Sequence, residues 1–220
     1  NMGRYFVETK SGKSAARLLQ ASIDSFENQT KRNKRDTYKY INAYRLLGEE
    51  MSNEREYLTA ETLYGRGIDI FERENASSRF ESNENVGKLY ADLADLDYFI
   101  AADNDAALMH YENAVNNKYD TSSVRYRIGY IQYQNQNYPA ALGSFIKSHD
   151  TSGNDIHLLL ALANTLSLSS DNYVARGYYE RLISILDGER QKHGVLFPQV
   201  RDDQGDIVDI YMKASNNLGV

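Results

Sequence analysis

NDAALMHY (Asn104–Tyr111) returns 34 residues later as YPAALGSF (Tyr138–Phe145), and again as NYVARGYY (Asn172–Tyr179). In each copy a small residue, Ala107, Ala141 or Ala175, precedes an aromatic four positions on: Tyr111, Phe145 or Tyr179. Residues four apart share one face of a helix, so each pair forms a single contact surface. A period of 34 is that of a helix–turn–helix unit repeated along a stack. Such stacks bury their cores between neighbouring copies and offer surfaces to partners.

Working outward, Lys88, Ser122 and Ile156 become first positions of three contiguous repeats. Their seventh and eighth positions read Ala94-Asp95, Ile128-Gly129 and Leu162-Ala163. An earlier copy starts at Ile41, with Tyr44, Leu47-Gly48, Tyr57, Ala60, Tyr64 and Gly67 in matching places. A small eighth residue lets the second helix approach, and the Ala–aromatic pair fills the space between the helices. Four copies depart from this pattern locally. Asp95 replaces the small eighth residue, Gln132 replaces an aromatic at position eleven, Tyr44 is the one aromatic at position four, and no copy ends in proline.

These residues resemble the tetratricopeptide repeat family, most closely in Tyr44-Arg45-Leu46-Leu47-Gly48 and Asn137-Tyr138-Pro139-Ala140-Ala141-Leu142. The resemblance implies an all-α, right-handed α-solenoid of about four full repeats, with partial repeats at both ends. The interrupted repeats and tyrosine-rich texture also resemble tetratricopeptide proteins of bacterial envelope and flagellar assemblies, including those of spirochaetes.

The expected organisation follows from the frame. Residues 13–29 form a partial repeat, with Ala16, Leu19, Ile23 and Phe26 on one helical face. A repeat at 41–74, whose second helix extends toward Phe80, is followed by an insertion at 75–87. Contiguous repeats occupy 88–121, 122–155 and 156–189, and Ser152-Gly153-Asn154-Asp155 reads as a capping box for the last. A loop at 190–205 carries Gly194, Pro198 and Gly205, and 206–220 is expected to start a further repeat. Leu218-Gly219 would be positions seven and eight of that repeat, and on that expectation the chain would be a segment of a longer protein, with Asn1-Met2 as a tag remnant. Alternatively, Ile207, Ile210, Tyr211 and Leu218 belong to a capping helix.

Charge excludes some partners. A net charge of −6, with both signs scattered, argues against nucleic acid, which needs a concentrated basic face. The basic run Lys31-Arg32-Asn33-Lys34-Arg35 reads as a solvated turn. No apolar stretch is long enough for membrane insertion. Without cysteine, disulfides and thiolate chemistry are impossible, and the composition leans toward an exported, periplasmic bacterial protein. Two sequons, Asn28-Gln29-Thr30 and Asn75-Ala76-Ser77, are too short to carry weight.

Catalytic patterns are missing. His110, His149, His157 and His193 lack metal-ligand spacing, and Gly65-Arg66-Gly67 lies inside a helix pattern, away from any strand–loop–helix unit. No catalytic residue, cofactor or metal site is expected, and the partner is a protein or peptide. Oligomeric state is not encoded in these signals.

The resemblance assigns an inner, concave groove to positions two, five, nine, twelve and thirteen of each first helix. Those positions hold Asn42, Arg45, Glu49, Ser52 and Asn53; Leu89, Asp92, Leu96, Phe99 and Ile100; Ser123, Tyr126, Tyr130, Tyr133 and Gln134; and His157, Leu160, Asn164, Ser167 and Leu168. The partner site is expected at Tyr126, Tyr130, Tyr133, Leu96, Phe99, Asp92, Arg45, Glu49 and Asn164. Tyr126, Tyr130 and Tyr133 share one helical face and supply large contact area with a polar tip. The same three rings would equally serve as packing between repeats. Only isolated positions match the carboxylate clamp of chaperone-binding members. The expected function is a scaffold or adaptor that binds a peptide or protein segment within a larger assembly. The alternative is a sensor or substrate-docking region of a regulatory protein or enzyme whose active domain lies outside this segment.

Overall fold

Among the described residues, seven of ten α-helices open on a side chain that accepts from a backbone N–H near the helix start, replacing a partner the first turn lacks. Asn33, Asn83, Asp103, Thr121 and Asp155 accept from the third residue onward, as do Asp171 and Asp209. The computed structural model describes residues 12–29, 32–76, 81–193, 200–201 and 207–218. They divide into two compact units, 1–120 and 121–220.

In the first unit the helices are α1 (Gly12–Glu27), α2 (Lys34–Asn53), α3 (Tyr57–Ala76), α4 (Glu84–Leu96) and α5 (Asn104–Asn116), with a π-helical turn at Asp97–Ala101 extending α4. Each packs on the next, and α2 also packs on α4. The second unit contains α6 (Ser122–Gln134), α7 (Tyr138–Ser152), α8 (Ile156–Leu168), α9 (Asn172–His193) and α10 (Ile210–Leu218). Here α6 packs on α8 as well as α7, and α10 packs on α9 and α8. Contact between alternate helices is the mark of stacked helix pairs, so α2/α3, α4/α5, α6/α7 and α8/α9 are four repeats of an all-α fold. Two residue pairs of antiparallel strand, β1 (Val200–Arg201) and β2 (Ile207–Val208), precede α10.

The repeat knob is tight. A Cβ on Gly48 would lie 2.4 Å from the Tyr64 ring, and one on Gly129 would lie 2.7 Å from Phe145. The departure at Asp95 has a compensating contact: the Tyr111 hydroxyl donates to its carboxylate at 2.5 Å. A side chain too large to let the ring cross is thereby made its hydrogen-bond partner. Beyond the pattern, Gly87 of α4 passes so close to the end of α5 that a Cβ would meet the Ala114 and Asn117 carbonyl oxygens at 2.7 and 2.8 Å.

Turns between paired helices repeat too. Arg55, Ala102, Gln136 and Ser170 all have positive φ, from 54° to 66°, and all occupy position fifteen of the frame. In three copies the residue after this one donates its N–H to the carbonyl five back: Glu56 to Met51, Asn137 to Gln132 and Asp171 to Leu166. In the second copy Asp103 reaches six back, to Asp97. That helix end is one residue wider, which is the π-helical turn.

Several boundaries differ from expectation. Ser152 ends α7, where its hydroxyl donates to the Ser148 carbonyl, so no capping box forms and Asp155 alone caps α8. Residues 84–87 of the expected insertion are the first turn of α4, because Asn83 caps it. Lys34 and Arg35 likewise begin α2, with Asn33 as cap. In α1 the buried face is Ala15, Leu19 and Ile23, with Ala16 half-buried. Helix α9 continues past 190, and α10 begins at Ile210, after the strand pair. Phe80, Lys31, Gly194, Pro198, Gly205 and Gly219 lie outside the described residues.

The second unit's core is closed by α10, where Ile210 and Ala214 are buried against Leu159, Ala163, Tyr179 and Leu182. Among the described residues no helix is long and apolar enough to cross a membrane.

Candidate partner-binding grooves

In the first unit, α2 and α4 present their expected groove residues to one another. Arg45 and Asp92 both hold position five, and they meet: Arg45 Nη1 lies 3.0 Å from Asp92 and 2.9 Å from Glu49. Arg45 Nε also donates to Asn42 at 3.2 Å. One guanidinium, buried at 8% side-chain exposure, is thus shared by two carboxylates. Burial pushes the Asp92 carboxyl up to about 6, against the pull of Arg45 and Lys88 and with a further push from Glu49. Glu50, next in α2, is also raised, by burial and then by Glu54 and Glu49.

Above this ion triad is a cavity of about 220 Å3. It is lined by the expected Glu49, Ser52, Asn53, Asp92, Leu96, Phe99 and Ile100 together with Tyr57, Tyr64 and Asp95. The last three were missed because the repeat pattern reserves their positions for packing. Leu89 is the reverse case: assigned to the groove, it is fully buried beside Gly67. Phe99 and Ile100 stand open, 40% and 48% exposed, within the widened turn. The Asp97 carboxylate accepts from His110 Nδ1 at 2.6 Å, which ties that turn to α5.

In the second unit, Tyr126, Tyr130 and Tyr133 form a ladder on α6. Successive ring centroids are 6.1 and 6.4 Å apart and the planes lie within 26° of parallel. Tyr138 continues it, 5.8 Å from Tyr133. All three rings are half-buried, packed against the core of Ala141, Phe145, Leu158 and Leu162. Each of the three is therefore partly packed on that core and partly exposed. Burial, then Tyr138 and Tyr130, raise the Tyr133 hydroxyl pKa. Tyr126 borders a cavity of about 330 Å3 together with Ser123, Arg127 and His157.

Asn164 is engaged elsewhere. Its Oδ1 accepts from the Tyr179 hydroxyl at 2.6 Å and from Asn217 Nδ2 at 3.0 Å, so it ties α8, α9 and α10 together. Among the described residues no three His, Asp or Glu side chains are grouped to hold a metal.

Stacked helix pairs, three of them in phase at 34 residues, a small residue under the knob aromatic in three of the four copies, and a left-handed turn shared by all four match the tetratricopeptide-repeat fold. Solved structures agree. The chain is similar to MamA at 12% identity, TM-score 0.62, over 89% of this chain and 98% of that one. It is similar to BtubC from P. vanneervenii at 14% identity, TM-score 0.62, over 94% and 84%. YrrB, described as a TPR protein with an unusual peptide-binding site, is 16% identical with a TM-score of 0.54 over 84% and 91%. At these identities the likeness is one of fold. No family model and no curated protein matches the sequence.

Proposed function

We propose that this chain is a protein–protein interaction scaffold that takes a peptide or protein segment on the first-helix faces of its repeats. The observation that carries this is the ladder on α6: three stacked tyrosines packed on the core and each left partly exposed. Rings fixed on a helix offer contact area and hydroxyl hydrogen bonds with little rotamer entropy to lose, which is how tyrosine anchors interfaces. YrrB, with its peptide-binding site, shows that a neighbour in fold has such a use. No catalytic role is assigned to any residue.

The test is capture from a lysate of the native cells with the parent chain and with Tyr130→Ala and Tyr133→Ala variants whose circular dichroism is unchanged. We expect a discrete partner that is reduced at least tenfold by either variant. Undiminished capture would remove the ladder from the binding site, and the absence of any partner with the parent would overturn the scaffold reading.

A further inference from the structure

We infer that two copies of this chain pair through α9, antiparallel about Gly177, with Tyr173 of each copy lodged beside Arg181 of the other. This goes beyond the scaffold reading, whose ladder is on a different helix.

The exposed face of α9 holds both halves of a contact. Tyr173 is the knob, 90% exposed in the first turn, with Val174 beside it at 42%. A ring left so open forgoes most of the burial that aromatic side chains ordinarily reach. One turn on is the hole. A Cβ on Gly177 would meet nothing within 4 Å, and a cavity of about 620 Å3 lies there, lined among the described residues by α9 itself. Beyond it Arg181 is exposed yet already held: Nη2 donates to Asn154 at 2.5 Å and Nη1 to His149 Nε2 at 3.4 Å. A guanidinium fixed in this way has little freedom to lose when a ring stacks on it.

A knob and a hole on one surface are satisfied together by a two-fold related copy, each filling the other. An unrelated partner would have to supply both at this same spacing, a match the chain carries in itself. The helix sets the register. With a rise of about 1.5 Å per residue, an antiparallel pair centred on Gly177 puts Tyr173 of one copy level with Arg181 of the other. The bare Gly177 lets the two helices close up at the axis.

The charges agree with that register. Arg176 and Glu180, 71% and 55% exposed, pair at 2.7 Å within one copy. In the antiparallel pair both lie on the same side of the seam. Each Glu180 is then nearer along the axis to Arg176 of the other copy than to its own, so two exposed ion pairs close into a ring of alternating sign. A parallel pair would instead bring Tyr173 level with Tyr173 and Arg176 level with Arg176.

The test is sedimentation equilibrium of the full chain up to about 0.5 mM, where a monomer–dimer equilibrium is expected. Tyr173→Ser, and Gly177→Leu, which fills the hole, should each weaken association at least tenfold with unchanged circular dichroism. Tyr130→Ala should leave it unaltered, so dimer formation and partner capture fail separately. Arg176→Glu alone and Glu180→Arg alone should each dissociate, while their equimolar mixture recovers the parent's association. The chain has no cysteine, so a single one reports without interference. Gly177→Cys, on the axis, should cross-link on mild oxidation at least tenfold faster than Gly188→Cys further along α9. A chain that stays monomeric at the highest concentration would overturn the inference, and if Tyr173→Ser then diminished lysate capture, the face would belong to another protein. A dimer indifferent to Tyr173→Ser and Gly177→Leu, or equal cross-linking at 177 and 188, would overturn it as well.

Discussion

The two units share a knob and differ in what their first helices show. In the first, consecutive fifth positions hold Arg45 and Asp92, which pair across the stack. In the second they hold Tyr126 and Leu160, which pack on two separate core clusters. Position nine carries Glu49 and Leu96 in the first unit, and Tyr130 and Asn164 in the second. The repeat grammar thus dictates positions eight, twenty and twenty-four, because the close helix crossing depends on them, and leaves five and nine open to chemistry. One scaffold can hold an ionic face in one place and an aromatic face in another.

Removing Arg45 should separate the units most sharply. Arg45→Met leaves Glu49 and Asp92 without their cation and is expected to cost about 3 kcal/mol at pH 8 in urea unfolding. Tyr130→Leu on the other face should cost about 1 kcal/mol and show no pH dependence below 8. The sign of the Asp92 effect follows from its carboxyl, near 6 folded and 3.8 as its ordinary value. A raised folded value means stability present in full below about 4 and lost as pH climbs through about 6. Relative to Asp92→Asn, the parent should lose stability over that window. A flat difference would show that Asp92 is well solvated.

The glycines offer a smaller contrast. Gly87→Ala and Gly129→Ala should each cost about 2 kcal/mol, since one meets backbone oxygens and the other a buried ring. Gly177→Ala, in open space on α9, should instead stabilise by about 0.5–1 kcal/mol through helix propensity. Thermal melts of the three variants would decide this, and a stabilising Gly87→Ala would refute the close crossing of α4 and α5.

The finest distinction lies at position twenty-four. Tyr111→Phe removes a bond to a carboxylate and should cost about 1.5 kcal/mol, against about 1 kcal/mol for Tyr179→Phe, whose hydroxyl bonds the neutral Asn164. Equal losses in matched urea titrations would mean that the exposed Asp95 gains nothing from its charge.

Most of the interior was legible in the sequence. A packing rule that needs a small residue in one helix and a ring in the next leaves its trace at fixed spacing, and Ala107–Tyr111 and its copies carry it. The edges were less so. Asn33 and Asn83 start α2 and α4 several residues ahead of the repeat frame, and nothing in a 34-residue period encodes a cap. Ser152 matched a motif but was already inside a helix. The groove was half visible: its positions came from the resemblance, whereas the meeting of Arg45 with Asp92, 47 residues apart, is a tertiary event with no mark in either residue's neighbourhood. Tyr57, Tyr64 and Asp95 were hidden because one side chain both packs and lines a surface.

The left-handed residues at Arg55, Ala102, Gln136 and Ser170 bear on how such a chain changes length over generations. From Ala102 onward they fall in strict phase, and only the stretch 75–87 displaces Arg55 from it. An added residue within a helix pair would move that turn off the one position where the backbone reverses, and would rotate the ring away from its small partner. An added residue between pairs disturbs neither. Lineages of this protein should therefore lengthen and shorten at the seams between repeats, while the distance from each eighth residue to its turn stays constant.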